Sequence, residues 1–178
     1  MRSLCLSHGG DVLASGSLDT SIRIWDFANG NPVPPSGLNV VGGAPSTGPG
    51  DKIMVSGNVA ATAFTSLEYD VTGVGAGTLT FAGPAAVINF SGLEPATITP
   101  LAGSVTIDID NGGVDGFASP ITTTITDASG GMMLADFDVG AEDLTFVAPT
   151  VALTILGDNS DNDAITVTSL PTFSAALT

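Results

Sequence analysis

Near the end of the chain, between two strand-like runs, lies Gly157-Asp158-Asn159-Ser160-Asp161-Asn162-Asp163. Three carboxylates in one short loop, with amide, hydroxyl and backbone oxygens between them, are the hard ligands of which Ca2+ collects about six to eight. Asp158, Asp161 and Asp163 are therefore the candidate metal ligands, and Ca2+ is the candidate cofactor. A solvated turn explains the same residues, because Asp and Asn favour turns on conformational grounds alone. A second acidic group, Asp108-Ile109-Asp110-Asn111-Gly112-Gly113-Val114-Asp115-Gly116, starts like an EF-hand loop. It lacks an oxygen-bearing side chain at the fifth place and has no flanking helical pattern.

Residues suited to catalysis are sparse. Nucleophilic chemistry needs a base beside the nucleophile and a third group to orient that base. Cys5 and His8 lie close in sequence, but no orienting group accompanies them, and both read as structural. Paired carboxylates for glycoside hydrolysis could be drawn from Glu68, Asp70, Glu94, Asp136, Asp138, Glu142 and Asp143. Their separation in space is what matters for that chemistry, and sequence does not fix it. Neither a phosphate-cradling loop with its lysine nor a dinucleotide fingerprint occurs. Asn89-Phe90-Ser91 matches a glycosylation sequon. No catalytic residue is assigned, and the chain reads as non-enzymatic.

Charge narrows the partners. The 178-residue chain carries a net charge of −15, with only Arg2, Arg23 and Lys52 as basic residues and none beyond Lys52. Nucleic acid and anionic membranes are bound mainly through Lys and Arg clusters, so neither is expected as a partner. The sole cysteine, Cys5, excludes an internal disulfide framework, and the single histidine excludes a His-rich metal centre. The longest uncharged stretch, Val71 to Leu93, is interrupted by Pro84, Asn89 and several glycines. It does not read as a membrane-spanning helix. The first residues lack the apolar core and cleavage site of a signal peptide.

The elements that must hold these residues are strands. Leu144, Phe146, Val151, Leu153, Ile155, Ile165 and Val167 recur at period 2 among threonines, which suits half-buried strands and not a helix. Further strands are predicted at Ile53–Ser56, Leu67–Thr72, Thr78–Phe81, Val87–Phe90, Ala96–Thr99, Ser104–Ile109, Thr122–Thr126 and Met132–Phe137, divided by Gly-rich turns too short for crossover helices. Residues 28–51 concentrate Pro32, Pro34, Pro35, Pro45 and Pro49 with many glycines, and read as a linker. It divides residues 1–27 from a β-rich body at 52–178.

Two resemblances follow from the motifs. Leu13 to Asp26, LASGSLDTSIRIWD, with Trp25-Asp26 at its end and Asp19 in its turn, resembles part of a WD40 repeat. That resemblance implies a protein-interaction scaffold, although no second copy of the repeat occurs. From about Ser66 onward, INFSGLEPATIT followed by DLTFVAPTVALTILGDNSDNDAITVTSLPTFSAALT resembles the repeat modules of very long secreted bacterial surface proteins. It implies an adhesin-like, extracellular or cell-surface role and a parallel β-helix or other stacked-strand solenoid.

The expected fold is thus all-β: parallel β-helix or solenoid-like stacked strands, with a β-sandwich as alternative, preceded by a partial WD40-like β-meander. The expected function is a non-enzymatic structural or adhesive β-repeat module with protein or surface-glycan partners. The rivals are a WD-type interaction scaffold and a carbohydrate-active β-helix enzyme. An uncapped stack of strands leaves backbone groups and apolar side chains unpaired, so self-association through open strand ends is also expected.

Overall fold

The computed structural model describes residues 3–6, 12–16, 21–26, 33, 36–43, 51–56, 64–83, 85–93, 95–109, 120–138, 142–157, 162–168, 170 and 173–178, the first three segments as backbone only. The strands are β1 (Ser3–Leu6), β2 (Val12–Gly16), β3 (Ser21–Asp26), β4 (Leu38–Val41), β5 (Lys52–Ser56), β6 (Phe64–Gly73), β7 (Ala76–Ala82) and β8 (Ala86–Ser91). They continue with β9 (Ala96–Ile98), β10 (Ala102–Asp108), β11 (Thr122–Asp127), β12 (Met132–Phe137), β13 (Leu144–Val147), β14 (Ala152–Leu156), β15 (Ala164–Val167) and β16 (Ala176–Leu177). Among the described residues there is no helix. The chain is all-β, as its period-2 pattern predicts.

Two mixed sheets form. The first runs β1-β2-β3-β5-β9-β13-β12-β11-β15, and the second runs β16-β14-β10-β6-β7-β8-β4. Parallel strands need a crossover connection. Here the crossover is a strand of the other sheet, reached through short links: residues 99–101 join β9 to β10, and 148–151 join β13 to β14. The result is that β5, β9 and β13 lie side by side in parallel in the first sheet. β6, β10, β14 and β16 do the same in the second. Two antiparallel excursions interrupt this order, β7 with β8 in one sheet and β11 with β12 in the other.

Parallel register brings like side chains into rows. Ile53, Ala96 and Leu144 are cross-strand neighbours, as are Met54, Thr97 and Thr145 one residue further on. The first row is buried throughout and the second faces outward. In the second sheet Leu67, Val105 and Leu153 form a matching buried row. The inner faces of both sheets contribute to one apolar core. At roughly 25 cal/mol per Å2 of apolar surface removed from water, each fully buried aliphatic or aromatic side chain adds on the order of 1.5–3 kcal/mol.

Tyr69 ties the sheets together. Its ring stands 6.1 Å from Phe90 in its own sheet and 6.1 Å from Phe137 in the other. Its hydroxyl donates to the Glu142 backbone oxygen at 2.9 Å, just before β13. Gly77 makes room for this arrangement: a Cβ there would meet both the Tyr69 and Phe90 rings at 2.7 Å.

The structure differs from the sequence pattern in three places. Leu38–Val41, inside the Pro- and Gly-rich connector, forms β4 and pairs in parallel with β8, while Val33 and Val40 are buried. Four residues without Pro or Gly suffice for a strand when a partner edge is present. β1 to β3 form the expected antiparallel meander, and β3 pairs in parallel with β5 to extend the first sheet. Val151, expected on an inner face, is 62% exposed because it precedes β14 in the turn, where its amide donates to Gly103 O at 2.8 Å.

A threonine occupies one of the inner-face positions. Thr123 is fully buried on β11, and its Oγ1 has no hydrogen-bond partner among the described residues. Replacing such a hydroxyl with a methyl of the same shape removes a desolvation penalty. Thr123→Val is expected to raise unfolding stability by about 1 kcal/mol. Gly77→Ala is expected to lower it by about 1–3 kcal/mol through overpacking against the two rings. Urea unfolding followed by circular dichroism measures both, and a neutral Gly77→Ala would contradict the ring packing described.

Candidate functional site

The outer face of the second sheet collects the polar side chains that its alternation turns away from the core. One row crosses six strands: Asn39, Asn89, Thr78, Asp70, Asp108 and Leu156, on β4, β8, β7, β6, β10 and β14. At one side the row is stitched by hydrogen bonds. The Thr78 hydroxyl donates to Asn89 Oδ1 at 3.1 Å, and Asn89 Nδ2 donates to Asn39 Oδ1 at 3.1 Å. The sequon asparagine therefore sits mid-strand with both ends of its carboxamide engaged.

At the centre the row turns acidic. Asp70 and Asp108 are direct neighbours across the β6–β10 pair, and Glu68 lies one inward-facing residue back on β6. One carboxylate oxygen from each of Glu68, Asp70 and Asp108 falls within 4.8 Å of the others. Asp70 and Asp108 are half-buried. Partial desolvation first, then the charges of Glu68 and Asp108, push the Asp70 carboxyl up to about 6. Chemically the trio offers three hard oxygens on the outer face of the sheet. A hydrated divalent cation would meet part of its ligand requirement there.

In the sequence Glu68 and Asp70 are among the candidate paired carboxylates and Asp108 opens the EF-hand-like segment, with nothing local to join the three. A repeated pattern could have joined them: Ser66-Leu67-Glu68-Tyr69-Asp70-Val71 and Ser104-Val105-Thr106-Ile107-Asp108-Ile109 share Ser, alternating apolar residues and Asp at equal spacing. The structure pairs them in that register, Ser66 with Ser104 and Asp70 with Asp108.

The other sequence candidates are dispersed. Asp158 and Asp161 lie outside the described residues. Asp163 Oδ1 accepts a hydrogen bond from Ile121 N at 2.9 Å, which uses that oxygen to fix the start of β11 against β15. Of the EF-hand-like segment, only Asp108 and Ile109 are described, and residues 110–116 lie outside. Asp136 is exposed on β12. Asp138 Oδ1 accepts from Thr122 N at 2.8 Å, and that bond holds its carboxyl below the usual range. Asp143 Oδ1 accepts from Phe137 N at 3.1 Å. Glu94 and His8 lie outside the described residues, and for Cys5 only the backbone, in β1, is described.

Glu142 departs from the rest because it is buried, 2% exposed. Its Oε1 lies beside the turn at Gly75, where an added Cβ would stand 3.4 Å away. Burial, then the charges of Glu142 and Asp143, raise the Tyr69 hydroxyl far above the usual tyrosine range, so it acts as a fixed donor. The carboxylates of Asp138, Asp143 and Asp163 fasten strand ends, and among the described residues the Glu68–Asp70–Asp108 group is where acids converge.

No protein family, no curated protein and no solved structure matches this chain. No helix among the described residues is long and apolar enough to cross a membrane.

A raised carboxyl in the fold gives a defined pH dependence. Asp70 binds its proton more tightly folded than unfolded, where its value is near 4. The folded state therefore loses stability as pH rises from about 4 through about 6, and the loss is complete above that range. Asp70→Asn is expected to stabilise the protein at pH 7 by roughly 1 kcal/mol, discounted for solvent screening. The gain should vanish near pH 4. Thermal unfolding of both proteins across pH 4–8 measures this, and an equal gain at all pH values would contradict the charge crowding.

Proposed function

We propose that the chain is a non-enzymatic structural or adhesive β-module of a cell-surface or secreted protein, built as solenoid-like stacked coils that bind through open strand ends. The coil unit is a strand of the first sheet followed by one of the second: β5 with β6, β9 with β10, β13 with β14, and β15 with β16. The β7–β8 and β11–β12 hairpins are insertions into this succession. Each unit covers its apolar side chains with those of its neighbours, as solenoids do.

The observation that carries this proposal is the state of the last unit. Ile165 and Val167 are register partners of Thr123 and Ile125, and Leu177 is the partner of Leu153. Those three partners are fully buried on core-facing sides, whereas Ile165 is 44% exposed, Val167 38% and Leu177 47%. Core-facing positions that nothing covers among the described residues favour a surface made to receive further strands. Protein or glycan partners then engage the module as a scaffold. Use of Asp138 and Asp143 as acceptors for strand-end amides supports the same proposal over a carbohydrate-active enzyme. The extension of the first sheet through β3 favours a single stack over a WD-type scaffold with a separate blade.

The test is association. Sedimentation velocity over a wide concentration range is expected to show growth into larger species, and Val167→Lys should move that growth to at least tenfold higher concentration. A sharp monomer at high concentration would overturn the open-end proposal. Cleavage of a surface polysaccharide, abolished by one Asp or Glu substitution, would overturn the non-enzymatic assignment.

A further inference from the structure

The two ends of each sheet have the same polarity. In the second sheet β14, β10 and β6 run parallel to β16. β7 is antiparallel to β6, and β8 antiparallel to β7, so β8 runs with β6 again. β4 is parallel to β8. The edge strands β16 and β4 therefore point the same way. The first sheet repeats this. β15 is parallel to β11, two antiparallel steps carry that direction to β13, and parallel pairs carry it through β9 and β5 to β3. Two more antiparallel steps return it at β1. In both sheets a copy displaced along the stack would therefore present a parallel edge to a parallel edge.

Backbone groups at these edges support the match. Ala176 N donates inward to Val151 O, just before β14, and Thr178 N to Leu153 O of β14, so by ladder alternation Leu177 N points away from β14. Gly42 N donates inward to Ser91 O of β8, so Val41 N points away from β8 in the same manner. Val41 is 77% exposed and Leu177 47%. Edge strands that avoid pairing carry Lys, Pro or inward charges. Here residues 36–43 and 164–178 hold no charged residue, in a chain of net charge −15. Two copies can thus bring these edges together without placing carboxylates opposite one another, whereas face-to-face approach of the acidic sheet surfaces would.

We infer that a second copy of this chain is the occupant: β16 of one copy pairs in parallel with β4 of the next, and β15 with β1, in head-to-tail assembly that continues both sheets. This deepens the open-end proposal and rests on it. Head-to-tail contacts that do not close into a ring give open-ended series.

The two ends can be blocked separately. Leu177→Pro removes an outward-pointing donor on β16 and spares the inward ladder bonds, and Val41→Pro does the same on β4. Under head-to-tail pairing each variant alone sediments as monomer at concentrations where the unsubstituted chain is assembled. An equimolar mixture of the two gives a dimer and nothing larger, because one free β16 edge meets one free β4 edge. Leu177→Lys and Val41→Lys repeat the experiment without backbone constraint, and circular dichroism confirms strand content for all four. Assembly of Val41→Pro like the unsubstituted chain, with no dimer in the mixture, would overturn head-to-tail pairing in favour of tail-to-tail contact while leaving open-end association intact. Failure of the unsubstituted chain to assemble would overturn both.

Discussion

The parallel strands of both sheets answer to one constraint: partners from distant parts of the chain must meet with their apolar alternates in phase. Slipping one residue turns a whole strand inside out. The rows Ile53-Ala96-Leu144 and Leu67-Val105-Leu153 satisfy the constraint across three strands each. Turns absorb what is left over. In the β11–β12 hairpin, Asp127 Oδ1 accepts from Ser129 N at 2.7 Å, and Ser129, Gly130 and Gly131 all take positive φ. That local device lets Ile125 face Ala135 across the hairpin, both fully buried.

Between the sheets, Tyr69 sets the geometry more sharply than its area suggests. Aliphatic rows hold the sheets together through many small contacts, none of which depends on one particular atom pair. A buried phenol does depend on one, because losing its acceptor costs on the order of 1–3 kcal/mol. With its ring between Phe90 and Phe137 and its hydroxyl on the Glu142 carbonyl, Tyr69 fixes where β6 lies against β12 and β13. Gly77 has its place for the same reason, as any side chain there would displace the ring.

Alternation made the strands legible in the sequence, since it is a local property and Leu144, Phe146 and Leu153 are buried where period 2 puts them. Pairing was not legible, because which strand lies beside which depends on links such as 99–101 returning the chain to the other sheet. β4 escaped notice for a related reason. Leu38-Asn39-Val40-Val41 is too short to register amid Pro and Gly, and its strand character comes from the β8 edge beside it. The acidic trio was hidden because Asp108 meets Glu68 and Asp70 only through the β6–β10 pairing. Ile165 and Val167 teach a further lesson. Their alternation correctly reports the face they share with Thr123 and Ile125, but alternation says nothing about whether another layer lies above that face.

The distribution of charge then bears on the proposed contact between strand edges of so acidic a chain. Carboxylates at Asp70 and Asp108 stand in mid-sheet, and the row they occupy finishes in Asn39 at one side and Leu156 at the other. Strands are about 4.8 Å apart, so Asp108 on β10 would stand about 14 Å from a strand added beyond β16. That exceeds the screening length of about 8 Å at physiological ionic strength. Repulsion between the acidic centres of two copies would therefore be small at the proposed edge contact. Between two sheet faces laid on one another, at about 10 Å, the same centres would face each other across many rows at once. The mid-sheet position of Asp70 and Asp108 would thus disfavour face-to-face contact between copies much more than the proposed edge-to-edge contact.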